Sequence, residues 1–181
     1  MRTSSPEGFT LLELILVVAI IGLLAAIAVP GLLRARTAGN ESSAIASLRI
    51  INTSQHAYMS SCGNGFYASS LPILGDPAPV GVGFISPDLA TATIIDKSGY
   101  RLRMEEGSEA TVATKDGCNP LGVAAALFSS YYASNEPVIP GQSGSRWFWT
   151  NLAGTIYTSN ADDFATIKTG NAAPGVGAPL Q

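Results

Sequence analysis

Between Leu14 and Val29 no residue is charged or strongly polar, and Pro30 and Gly31 close the run. This stretch constrains the chain more than any other. As a helix, Phe9 to Val29 rises roughly 30 Å, enough to cross the hydrocarbon core of a bilayer. One carboxylate, Glu13, sits near the front of the segment. An ionised acid without a partner costs roughly 3 kcal/mol or more at a bilayer's centre. A chain that keeps an acid there has a use for it.

The eight residues before the run, Met1 to Gly8, are too short and too polar for an ordinary secretory signal, whose apolar core precedes its cleavage site. Here the apolar core follows Gly8. The stretch GFTLLELILVVAIIGLLAAIAVPGLLRAR resembles the processing site and N-terminal helix of type IV pilins and of type II secretion pseudopilins. The motif covers Gly8 to about Arg36, roughly a sixth of the chain, and its cut site, acid and proline agree in spacing. The resemblance implies that prepilin peptidase cuts after Gly8 and that Phe9 becomes the methylated N-terminus. It implies that Glu13 is the family's assembly glutamate, its carboxylate pairing with the α-ammonium of Phe9 on an adjacent subunit. Gly22 and Pro30 coincide with the family's helix-weakening glycine and proline. Some features depart from the usual pattern: the leader holds Arg2 as its one cation, Pro6-Glu7 precede the glycine, and Arg34 and Arg36 oppose the positive-inside tendency.

Beyond Gly31 the chain turns amphipathic. Ala44, Ile45, Leu48, Ile51, Gln55 and Tyr58 recur at the three- and four-residue steps of one helical face. Asn40, Glu41, Ser43, Ser47, Asn52 and Ser54 are assigned to the other face. One helix from Phe9 to about Ser61 is expected, with a kink or melted turn between Gly22 and Gly39, because proline lacks an amide hydrogen and glycine adds backbone freedom. From Cys62 to about Ile95 breaker signals crowd together, Leu71-Pro72 and Asp76-Pro77-Ala78-Pro79 among them. Ser86 to Ala90 adds a short helical turn. Tyr100, Leu102 and Met104 alternate with Arg101, Arg103 and Glu105, which predicts a half-buried antiparallel strand. Leu127 to Ala133 reads as a second strand. Arg146–Thr150 and Thr155–Thr158 read as a hairpin through Asn151-Leu152-Ala153-Gly154, and Glu109 to Lys115 as strand or loop. The expected fold is α+β: a long N-terminal helix, its first half membrane-embedded, packed on a small antiparallel β-sheet. The expected divisions are a leader (1–8), a membrane or filament-core segment (9–30), an amphipathic half-helix (31–61), a globular domain (62–169) and a flexible Gly/Ala/Pro-rich tail (170–181).

With that domain outside the cytoplasm, an intramolecular Cys62–Cys118 disulfide is the default for the two cysteines. They lack metal spacing and no histidine cluster joins them. His56 stands alone, without a serine or cysteine nucleophile nearby, and no catalytic residues are expected. Asn160, Asp162 and Asp163 hold oxygen ligands, but three such residues in a loop are common and read better as a solvated turn than as a calcium site. Trp147-Phe148-Trp149 reads as core and hairpin packing. The Asn40 and Asn52 glycosylation sequons fall mid-helix and are discounted. No Walker, Rossmann or zinc pattern is present, so no cofactor and no metal are expected. A net charge of −3 supplies no basic field for nucleic acid.

The resemblance implies a structural subunit of a type IV pilus. Its partners would be other copies or minor pilins, prepilin peptidase, and the inner-membrane platform with its assembly ATPase. It would reside in the inner membrane before assembly and in an extracellular pilus afterwards. The alternatives are a pseudopilin of a short periplasmic pseudopilus and a membrane-anchored periplasmic binding domain.

Overall fold

A computed structural model describes residues 8–79, 81–161 and 177–180. One helix, α1, runs Leu11–Ser61 and contains Pro30. Thr10 starts it, its hydroxyl accepting the Glu13 amide hydrogen at 3.2 Å, the usual way to satisfy an orphan donor of the first turn. At the other end, Asn64 (φ 52°) and Gly65 (φ 89°) turn the chain back, and the Gly65 amide donates to the Met59 carbonyl. The chain divides into two compact units, Met1–Arg36 and Thr37–Gln181.

In the first unit every described residue from Gly8 to Arg36 is exposed. An 18-residue window of α1 here has a mean hydropathy of 2.9 and none of it is buried, so the helix is long and apolar enough to cross a membrane.

The second unit packs the rest of α1 onto antiparallel sheet. Six strands lie in the order β2-β3-β5-β6-β7-β8: β2 Ile94–Lys97, β3 Tyr100–Glu106, β5 Tyr131–Pro137, β6 Trp147–Asn151, β7 Ile156–Ser159 and β8 Ala178–Pro179. Two short strands, β1 Tyr67–Ala68 and β4 Leu127–Phe128, pair apart from these. Leu102 stands opposite Asn135 and Ala133 opposite Thr150, which aligns one face of the sheet toward α1. Leu102, Met104, Tyr131, Ala133 and Phe148 from that face bury with Ala44, Leu48, Ile51 and Tyr58 of the helix in one core. The α+β arrangement expected from the sequence is the one found.

Several elements differ from expectation. The stretch read as one strand from Leu127 to Ala133 is two, broken at Ser129-Ser130, where the Ser129 amide donates to the Thr111 carbonyl instead of continuing a ladder. Glu109 to Lys115 is loop, touching the strands through a single bridge from Val112 to Phe128. Within the region read as irregular, Leu71–Gly75 forms a short helix, α2, with proline in its first turn, where a missing amide hydrogen costs nothing. Pro87–Leu89 forms the expected helical turn as a 3₁₀ helix. Ile94–Lys97 adds an edge strand, closed onto β3 by Ser98 (φ 49°) and Gly99 (φ 74°), the left-handed pair a two-residue hairpin demands.

Of the stretch expected as a flexible tail (170–181), residues 177–180 are described and they dock on the sheet. Residues 178–179 pair with β7, the Leu180 amide donates to the Ile156 carbonyl at 2.8 Å, and Leu180 packs on the core. Gly177 makes this possible. It has φ 92°, and any Cβ there would run into the Trp149 ring. Gly177→Ala is therefore expected to cost about 2 kcal/mol through overpacking and an unfavourable φ. Hydrogen exchange at the Leu180 amide should accelerate; an unchanged rate would contradict the docking of β8.

Candidate functional site

The residues singled out in the sequence lie in separate places. Gly8 and Phe9 precede α1 and are exposed, Phe9 to 73 %. The residues before Gly8, expected to be a leader, lie outside the described residues. Glu13 is an exposed acid in the first turn of α1, where a carboxylate also complements the helix dipole. Gly22 and Pro30 both lie inside α1, and a Cβ at Gly22 would meet nothing within 4 Å. Helical structure is assigned through both positions. Around Glu13 the surface is almost wholly apolar: Leu11, Leu12, Leu14, Ile15 and Leu16 are all more than half exposed. Such a surface buries itself in lipid or against other helices, and an ionised acid on it then gains most from a cation supplied by a neighbour.

Cys62 and Cys118 are bonded, with Cα atoms 4.7 Å apart. The bridge ties the end of α1 to a loop organised by Asn119. That side chain accepts from the Tyr58 hydroxyl at 2.9 Å and donates to the carbonyls of Ile73 and Asp76. Burial, with the Asp76 charge second, pushes the Tyr58 phenol up to about 12, so it remains a neutral donor at physiological pH.

Sequence periodicity missed a polar seam along α1. Glu41, Ser47, Asn52 and Ser54, assigned above to the solvated face, are buried. Asn52 donates to the Gly154 carbonyl and accepts from the hydroxyls of Tyr131 and Thr150. Ser54 donates to the Phe84 carbonyl. Gln55, fully buried, pairs with the backbone of Ala68 in both directions, at 2.7 and 3.1 Å. Each polar atom has a specific partner, which is what lets a polar side chain sit in a core.

Glu41 is the charged member. Its carboxylate accepts from the Ser145 amide and hydroxyl on one oxygen and from Arg146 on the other, with N–O distances of 2.9 and 2.6 Å. Burial alone would raise its pKa, but these hydrogen bonds and the guanidinium charge outweigh burial and hold the carboxyl below its ordinary 4.5. A lowered folded pKa means that the unfolded chain binds the proton more readily. The stabilisation is therefore complete above the ordinary value and is lost as pH falls below about 4.5 and through the lowered one. Because the Arg146 side chain is 39 % exposed, water screens the pair. Glu41→Gln is expected to cost about 1–2 kcal/mol at neutral pH. It should also flatten the acid limb of a urea-stability profile in detergent; an unaltered acid limb would dismiss this role.

Asn160 lies in the bend after β7, while Asp162 and Asp163 fall outside the described residues. His56 is exposed and makes an edge contact with the Tyr67 ring. Phe148 buries in the main core, whereas Trp149 stacks on Tyr157 on the opposite face of the sheet.

A family model described as the prokaryotic N-terminal methylation motif matches residues 4–29. Over 54 residues the chain is 45 % identical to the type IV major pilin protein PilA of Myxococcus xanthus (strain DK1622). That stretch is 30 % of this chain and 24 % of the relative, so the chain is matched to about a quarter of the curated relative's length. No solved structure matches.

Proposed function

We propose that this chain, whose N-terminal segment is similar to a type IV pilin, is a structural subunit of a type IV pilus. In this reading prepilin peptidase cuts after Gly8, Phe9 becomes the methylated N-terminus, and the apolar half of α1 anchors the chain in the inner membrane until assembly. In the fibre, the helices bundle in a central core and the sheet domains form the outer skin. Glu13 fixes axial register by pairing with the α-ammonium of Phe9 on a neighbour. Gly22 and Pro30 are the positions where α1 yields on entry into the fibre. Repeating one heterologous, non-closing contact is enough to build a filament. The observation that carries the proposal is the wholly exposed apolar surface from Phe9 to Leu33, with one acid in its first turn. The Cys62–Cys118 bridge tilts the reading toward a surface filament over a short periplasmic pseudopilus. The assembly ATPase and membrane platform are partners in the same reading.

Gly8 offers a clean test, since a Cβ there would meet nothing within 4 Å and cannot disturb the fold. Wild-type chain co-expressed with a prepilin peptidase should shorten on a gel, whereas Gly8→Val should stay full length and enter no fibre. A Gly8→Val chain trimmed and assembled like the wild type would refute the proposed processing.

A further inference from the structure

The positive charges of this chain are not used alike. In the second unit Lys97, Arg101, Arg103 and Arg146 each reach a carboxylate within 3 Å, while exposed Arg49 and Lys115 enter no ion pair among the described residues. Arg34 and Arg36, at the end of the first unit, are exposed and enter no ion pair among the described residues. The sequence leaves them little choice. Between Glu13 and Glu41 there is no acidic residue, and the positions four further along α1 are Ala38 and Asn40, so neither arginine has an intrahelical partner. The nearest following acid, Glu41, is already held by Arg146 and Ser145.

Their place along the helix is equally specific. Leu11 to Leu33 spans about 33 Å of helix, longer than a hydrocarbon core of about 30 Å and shorter than a whole bilayer of about 40–45 Å. Arg34 and Arg36 then fall in the headgroup layer opposite Phe9. Two helical positions apart is about 200° around the axis, so the two guanidiniums leave opposite sides of the helix. Their long stems allow the charges to reach outward along the interface, and each planar fork matches phosphate oxygens in a bidentate fashion.

We infer that Arg34 and Arg36 form a two-sided clasp for phospholipid phosphates in the leaflet opposite the Phe9 end. The clasp sets the depth of the anchor before assembly, and its contacts are given up when the helix leaves the membrane. It accounts for two cations on the side where the positive-inside tendency disfavours them. The inference rests on the proposal that α1 spans a membrane, and not on the fate of the chain in a fibre.

The test is a solid-state NMR measurement on the full chain, labelled with carbon-13 at arginine Cζ. The chain is placed in vesicles of phosphatidylcholine and phosphatidylglycerol, in buffer free of inorganic phosphate, so that lipid is the sole source of phosphorus. Dipolar dephasing of Cζ by phosphorus-31 should be larger in the wild type than in Arg34→Gln/Arg36→Gln, by the signal of two guanidinium carbons. Arg49→Gln, another exposed arginine of α1, should leave that phosphorus-coupled signal unchanged. Equal dephasing in wild type and double variant, with the chain floating with the vesicles, would overturn the clasp alone. A chain that does not float with the vesicles at all would overturn the clasp together with the membrane-spanning reading.

Discussion

Replacing Glu13 by valine is expected to yield a chain that is made, inserted and trimmed but builds no fibres. The substitution removes no contact within the folded domain, since Glu13 is exposed in the first turn of α1. It also makes the anchor more apolar, so insertion does not suffer. In the proposed fibre, it removes the one charge by which an otherwise featureless apolar helix would be set in register against its neighbours. A carboxylate and an α-ammonium brought together in low dielectric attract far more strongly than in water, and each alone would be penalised. With the penalty for one unpaired charge at roughly 3 kcal/mol, each subunit's addition would weaken about a hundredfold. Over a polymer that is an all-or-none difference. The check is an immunoblot of sheared surface fibres against the envelope fraction, with electron microscopy of the same cells. Fibres at wild-type density from Glu13→Val would remove the register role.

Opening the Cys62–Cys118 bridge should have the largest effect on the folded domain. The two cysteines are 56 residues apart, and closing a loop of that length is worth about 4 kcal/mol in the chain-entropy picture. Small domains hold only about 5–15 kcal/mol in total, so Cys62→Ser/Cys118→Ser would leave much of the chain near its unfolding threshold. The bridge also backs the Asn119 network that joins α1 to α2, and the Cys118 amide donates to the Cys62 carbonyl at 3.0 Å. Urea unfolding in detergent micelles, followed by tryptophan emission, should show a midpoint lowered by about 2 M. The same shift should appear when reductant is added to the wild type. A midpoint unmoved in both would mean that the surrounding packing, and not the bridge, holds the end of α1.

What the sequence disclosed followed from short-range periodicity. The apolar run, the alternation from Tyr100 to Glu105 and the hairpin between Arg146 and Thr158 all repeat within a few residues, and each matches an element observed. The cysteine pairing was readable because two cysteines allow one partner each. The polar seam was not readable, because a binary pattern assigns Asn52 and Ser54 to water. Their partners, Gly154 and Phe84, lie 102 and 30 residues away. Glu41 and Arg146 are 105 residues apart, a separation at which no local pattern operates. Leu71-Pro72 read as a breaker because proline stops helices from within, yet it starts them equally well. The edge strand β2 escaped for lack of an apolar alternation: Ile94 and Ile95 are adjacent, and only the Ser98-Gly99 turn marks its end. In the apolar half of α1, Gly8, Glu13, Gly22 and Pro30 were singled out from the resemblance and not from periodicity. Their roles belong to contacts between molecules, which a single chain does not contain.

Mass spectrometry of fibres sheared from the cell surface, imaged in parallel by negative-stain microscopy, decides whether this chain is a processed fibre subunit. The chain should be a fibre component whose first residue is methylated Phe9, with residues 1–8 absent. An uncut chain beginning at Met1, held in the envelope and missing from every fibre, would contradict it.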